Sequence, residues 1–336
     1  MASFSYAVPE FSEIVGDFPN LQLVADGFVY PDGPVYFDGG KGTGYLFVSD
    51  FSQDTVFVLI YNVPHGFTSP LVYRKPAAFP AGQTATAHGQ LLTCLSTGRA
   101  ILATTQVGAT ERLVEAYDSK KLNSPNDVVE KSDGSVWFTD PNYSSLEFAN
   151  FPADLPNNVY RYDPSTKELT VVASPKEAKL VSPNGLAFSP DEKRLYIADS
   201  AAEQGFGTNY EYLPQAVRVY DVTPDGKSLE LPGREFFVAR SGYPDGIQVD
   251  SRGNVYITTA AGVEVLDKEG RRLGTIGTPE GASNLTFGGP DNNILFIAAG
   301  KSLWGVQLKT TGAQPVRPLG FELQLPPFFH DSKTSL

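Results

Sequence analysis

Short apolar runs, each closing on a small or acidic residue, return along the chain at a nearly even interval. They are Leu46-Phe47-Val48-Ser49-Asp50, Leu91-Leu92-Thr93-Cys94, Val136-Trp137-Phe138-Thr139-Asp140, Leu195-Tyr196-Ile197-Ala198-Asp199, Val255-Tyr256-Ile257-Thr258-Thr259 and Ile294-Leu295-Phe296-Ile297-Ala298. Short length and a β-branched, aromatic content mark them as buried strands rather than helices. A polar turn precedes each, such as His88-Gly89, Asp133-Gly134, Arg252-Gly253 or Asp291-Asn292-Asn293. Before the turn lies a further strand pattern, as in Gly185-Leu186-Ala187-Phe188, and more follow the run, as in Asn158-Val159-Tyr160-Arg161-Tyr162. The repeat is about 40–60 residues long, which is the size of one four-stranded propeller blade.

Six repeats predict an all-β protein, a six-bladed β-propeller over residues 20–315, with an N-terminal arm at 1–19 and a C-terminal tail at 316–336. Residues 110–122 could be written as an amphipathic helix, but the repeat requires an outer strand there. An open edge would invite aggregation, so Leu21-Gln22-Leu23-Val24 is expected to close the ring as the outer strand of the last blade.

Composition narrows the function. The chain has 336 residues, with 26 basic against 38 acidic, for a net charge of −12. That balance argues against nucleic acid or an anionic membrane as partner and says nothing more specific about substrate; a small-molecule substrate is expected on other grounds, set out below. Cys94 is the only cysteine, so there is no intrachain disulfide and no zinc site built on two thiolates. His65, His88 and His330 are far apart, which disfavours a histidine-rich metal site. The first residues lack a basic segment followed by an apolar one, and no apolar run approaches a membrane span; a cytoplasmic protein is expected.

Candidate chemistry sits where inner strands begin. Four repeats carry Pro, then Asp or Asn, then Gly or Asp: Pro31-Asp32-Gly33, Pro125-Asn126-Asp127, Pro183-Asn184-Gly185 and Pro244-Asp245-Gly246, with Gln83 and Asn284 nearby in the other two. Turn chemistry explains the proline and glycine, but it does not require an oxygen-bearing residue between them. Propeller symmetry would bring Asp32, Asn126, Asn184 and Asp245 around one axis. Carboxylates crowded in a partly dry channel repel, and a divalent cation removes the conflict. Oxygen donors without thiolate or imidazole point to Ca²⁺ first, then Mg²⁺ or Mn²⁺, with Zn²⁺ as an adventitious occupant.

At these residues the chain resembles the gluconolactonase, senescence-marker-protein and luciferin-regenerating-enzyme family of six-bladed propellers. The resemblance is carried by residues 122–129 with 132–141, by 182–191, and by Pro244-Asp245-Gly246, and it extends over about residues 28–305. It implies a channel metal, usually Ca²⁺, and lactone hydrolysis. It also implies that Asn184 and Asp245 ligate the metal and that Asn126 reaches metal or substrate. Asp32 stands where the family usually has Glu, one methylene longer. Blade two departs as well: Gln83 and Cys94-Leu95-Ser96 replace the Asn and Cys-Glu-His that gluconolactonases tend to show.

The expected mechanism is metal-polarised attack of water on a lactone or related ester, with Asp245 as general base and Asp127 as second choice. Two long loops, 142–157 and 200–215, fall on the ligand side of the blades. They carry Tyr143, Phe148, Phe151, Phe206, Tyr210 and Tyr212, an aromatic rim suited, with Gln83, to a bulky apolar substrate. Asp50, Asp140 and Asp199 end matching strands and are expected to tie down loops rather than bind metal. A non-hydrolytic isomerase or cyclase and a non-enzymatic binding platform are the alternatives on the same scaffold.

Overall fold

The apolar runs become the second strands of six antiparallel sheets. In the computed structural model, which describes residues 3–105, 108–147, 152–201, 213–320 and 323, Val136–Asp140 and Val255–Thr259 are buried along their whole length. A blade is covered by a neighbour on each face, so its middle strands need not alternate apolar with polar. The blades begin with the inner strands Pro31–Gly40, Pro80–Ala85, Val128–Glu130, Pro183–Phe188, Ile247–Val249 and Ala282–Gly288. We number the blades one to six in that order.

Leu21–Asp26 pairs with Ser302–Gln307 and closes blade six from the other end of the chain, as the edge argument required. Residues 110–122 contain strands and no helix: Thr110–Val114 is the outer strand of blade two, and Ala116–Tyr117 pairs with Lys120–Lys121 in a small hairpin. The repeat frame therefore outweighs the local helical pattern.

Most of the core lies between blades. Trp137 packs edge-on against Phe188 across blades three and four, Tyr256 against Phe287 across five and six, and Tyr36 stacks on Phe296 across one and six. The N-terminal segment, expected as an arm, lies outside the six blades but is fastened to blade five. Ser3–Tyr6 adds a fifth strand beside Arg272–Gly277, and Phe11, Ile14 and Val15 are buried among residues of blades five and six. Gly274 leaves room for the Phe11 ring, since a Cβ there would lie 2.4 Å from it. At the other end, the chain crosses one face of the ring: Ala313 N–H bonds Val249 O, and Arg317–Pro318 pairs in parallel with Phe37–Asp38.

Phe11 is fully buried. Phe11→Ala is expected to lower unfolding free energy by about 3–5 kcal/mol, the range for emptying such a site. Urea unfolding measures it, and a loss below about 1 kcal/mol would mean the N-terminal segment is only loosely attached.

Candidate active site

Strand register makes the six inner-strand entrances equivalent. Pro31 lies opposite Asp50, Pro80 opposite Leu95 and Pro183 opposite Asp199. Five of the six blades carry proline here, and Ala282 holds the place in blade six. The next residue is Asp32, Ala81, Asn126, Asn184, Asp245 or Ser283, and the one after it Gly33, Gly82, Asp127, Gly185, Gly246 or Asn284. Neighbouring blades meet at this last position. A Cβ on Gly185 would lie 2.2 Å from Asp245 O, and one on Gly246 would lie 2.5 Å from Asn284 Oδ1, so only glycine admits the approach. The backbones then bond across blades: Gly82 N–H to Asn126 O at 2.7 Å, Gly185 N–H to Asp245 O at 3.1 Å, and Gly246 N–H to Ser283 O at 2.9 Å.

Asp32, Asn126, Asn184 and Asp245, from four blades, line one cavity of about 460 Å³. Asp32, Asn184 and Asp245 are 7%, 3% and 9% exposed. Asp32 Oδ1 accepts the Gly33 N–H at 2.7 Å and the Asn284 amide at 2.9 Å, while Oδ2 has no partner among the described residues. Burial holds the Asp32 carboxyl above its ordinary value, against the pull of those two donors. The side-chain amides of Asn126 and Asn184 likewise make no hydrogen bond among the described residues. Unmet polar atoms at such depth call for water, substrate or an ion.

Gln83, Asp127 and Asn284 are not part of this cavity. They line the other half of the channel, together with residues 312–317. The reason is a step along the strand: Asp127 and Asn284 come one residue after the converging position and Gln83 two after it, so the counterparts of Asp32 in blades two and six are Ala81 and Ser283. Asp127 accepts the Val128 N–H at 3.0 Å and the Leu186 N–H at 3.2 Å, bracing blade three against blade four. Burial, then the charge of Asp32, pushes its carboxyl up to about 8. Gln83 donates to Gly33 O at 2.9 Å.

Of the expected aromatic rim, Tyr143 lines the cavity. Phe148, Phe151, Phe206, Tyr210 and Tyr212 lie outside the described residues. The rest of the wall is Tyr30, Phe51, Phe79 and Tyr243, with Ser52 and Ser96, none of which the sequence pattern had placed at the rim. A signal for three of them was present: Tyr30-Pro31, Phe79-Pro80 and Tyr243-Pro244 put an aromatic directly before the repeat's proline. His88 borders a separate cleft on blades two and three. Cys94 is buried, and burial with the nearby Asp127, Asp32 and Asp140 carboxylates pushes its thiol up, so it is no nucleophile. Among the described residues no three His, Cys, Asp or Glu cluster; the converging set is two carboxylates and two amides.

Asp50, Asp140 and Asp199 tie down loops, as expected. Asp50 accepts the N–H groups of Val29 and Tyr30, Asp140 that of Asn123, and Asp199 those of Val181 and Ser182. Each carboxylate thus fixes the approach to the proline of its own blade.

The family described as SMP-30/gluconolactonase/LRE-like region matches residues 30–301, and the chain belongs to it. The gluconolactonase of Zymomonas mobilis is 28% identical over 325 residues, which cover 90% of this chain and 85% of that protein. The lactonohydrolase oryL of Aspergillus oryzae is 29% identical over 217 residues, 60% of this chain and 48% of that one. A solved structure of a gluconolactonase from Xanthomonas campestris superposes with a TM-score of 0.76 at 31% identity, covering 91% of this chain and 94% of that one. These relatives support lactone hydrolysis as the activity. Among the described residues no helix is long and apolar enough to cross a membrane.

Asp140 gives a pH test of the loop anchors. Burial pushes its carboxyl from 3.8 up to about 7, against the N–H groups of Asn123 and Ser124 and the charge of Arg99. The cost of charging it in the fold is absent below the unfolded value, grows as pH rises, and is complete above about 7. Asp140→Asn removes that cost. Its melting temperature relative to the parent is expected to rise between about pH 4.5 and 8; a difference independent of pH refutes the assignment.

Proposed function

We propose that this member of the gluconolactonase family hydrolyses a lactone bearing a bulky apolar group, in the cavity at the channel mouth, with a divalent cation held by Asp32, Asn126, Asn184 and Asp245. One observation carries the reading: oxygen donors from four blades, three of them buried and several without a protein partner among the described residues, converge on a single aromatic-walled space.

The donor set fits such a cation. It offers only oxygen, and two carboxylates would balance a double charge, which favours Ca²⁺ and after it Mg²⁺, Mn²⁺ or Zn²⁺. Asp32 is short for this role, yet Gly33 and Asn284 both bond Oδ1 and leave Oδ2 for the ion. When bound, the cation supplies Lewis acidity that draws charge from the lactone carbonyl as its oxygen becomes negative.

The protein's own groups do the rest. Tyr30, Phe51, Phe79, Tyr143 and Tyr243 hold the apolar part of the substrate and exclude water from the reacting bond. Asp245 takes a proton from the water as its oxygen bonds the carbonyl carbon; the ring C–O bond then breaks, and the leaving oxygen receives that proton to give a hydroxy acid. Asp127, on the far side of the cross-blade contacts and spent on two N–H groups, has a bracing role instead.

Asp245→Asn is expected to cut kcat by about 10²–10⁴-fold, the usual contribution of a general base, with an unchanged circular dichroism spectrum. Chelation should abolish turnover and added calcium restore it. Tyr243→Ala should raise KM roughly tenfold for lactones with bulky apolar substituents and leave small polar lactones unaffected. A proton-release assay over a lactone panel reads all three, and a fully active Asp245→Asn enzyme would remove this residue from the chemistry.

A further inference from the structure

Each of the four oxygen-bearing residues at the cavity is attached to a peptide group gripped by a hydroxyl from the preceding blade. Ser283 Oγ of blade six donates to Pro31 O at 2.6 Å, holding the peptide that leads into Asp32. Ser96 Oγ of blade two donates to Pro125 O at 3.4 Å, ahead of Asn126. Thr139 Oγ1 of blade three donates to Asn184 O at 2.8 Å. Ser200 Oγ, which comes just after the second strand of blade four, donates to Pro244 O, ahead of Asp245. All four hydroxyl residues are buried.

The junction that leads to a residue without an oxygen behaves differently. Ser49 occupies in blade one the place of Thr139 in blade three, and the next blade carries Ala81 at the converging position. The Ser49 hydroxyl is buried and makes no hydrogen bond among the described residues. At the junction of blades five and six, Thr258 Oγ1 donates to Ser283 O at 2.8 Å, and Ser283 is itself the residue that grips Pro31. Occupied grips therefore accompany donors, or residues that hold donors.

A short Asp or Asn side chain has only two torsions, so its oxygen follows the orientation of the adjoining peptide plane. We infer that Ser96, Thr139, Ser200 and Ser283 are positioning residues that set the direction of the metal-binding side chains, an inference that rests on the metal reading above. Oxygen donors held this way resemble the outer groups that orient ligands in metal sites, whose loss costs about 10–100-fold in affinity. The arrangement also makes each ligand depend on the blade before it, so the ion reads the assembly of the whole ring.

Calcium alone, titrated by calorimetry into the full chain, tests this. Ser200→Ala and Ser283→Ala are each expected to weaken binding by about 10–100-fold while remaining folded. Ser200→Cys, similar in size but a weak donor, gives a smaller loss and serves if the alanine variant does not fold. Tyr220→Phe is the matched control: it deletes a buried hydroxyl bond of 2.8 Å to Ala178 O, which does not adjoin a donor, and should leave calcium affinity unchanged. Serine variants that bind as tightly as the parent overturn the inference, as does an equal loss in Tyr220→Phe, which would make the effect one of general stability. A parent that takes up no calcium overturns the metal reading itself.

Discussion

Six strands that all begin on one axis must put their first peptide groups against one another, and the molecule is organised by that crowding. Carbonyls and N–H groups at the entrance cannot reach water and have no room for side chains between them, so they pair across blades. The Gly82, Gly185 and Gly246 N–H groups bond the next blade directly, and at blade three, where Asp127 replaces glycine, its carboxylate bonds the Leu186 N–H instead. Once the backbone is committed in this way, the residue just before each contact is held with its side chain toward the open mouth. Convergence of four oxygen-bearing residues follows from the ring and needs no dedicated loop.

The same crowding sets the electrostatics. Asp32 and Asp127 sit on opposite sides of the contact ring, and both carboxyls are raised by burial before any effect of charge. Their environments then differ. Both oxygens of Asp127 accept backbone N–H bonds, so its place is structural whichever protonation state it takes. Asp32 keeps one oxygen uncommitted at a cavity, next to amides that are also unmet, and there a positive charge would relieve the cost of its burial.

Most of the fold could be read from periodicity, because blade number, strand type and ring closure all express one repeated pattern of buried runs and polar turns. The four converging residues were legible for the same reason: the proline before them is a constant mark. Register within a blade could not be read. In blades two and six the oxygen-bearing residues Gln83 and Asn284 stand near the motif but past the converging position, and in a strand a single-residue step changes which side of the ring a side chain meets. Ala81 and Ser283, the true counterparts, offered no chemical signal to prefer. The aromatic wall at Tyr30, Phe79 and Tyr243 was hidden for a different reason: these residues adjoin the proline itself, whereas length alone singles out the loops.

Stability and specificity are thereby separated along each strand. Burial between blades joins the second strand of one blade to the far end of the next blade's inner strand, as in Trp137 with Phe188 and Tyr256 with Phe287, well away from the mouth. The wall of the cavity is made by the residue before the proline and by the segment just after the second strand, and Asp50 and Asp54 hold Tyr30 and Phe79 there through backbone N–H groups. The Tyr30 N–H bonds Asp50, a backbone contact that any residue other than proline could supply. A propeller built this way can keep its oxygen donors and exchange its wall.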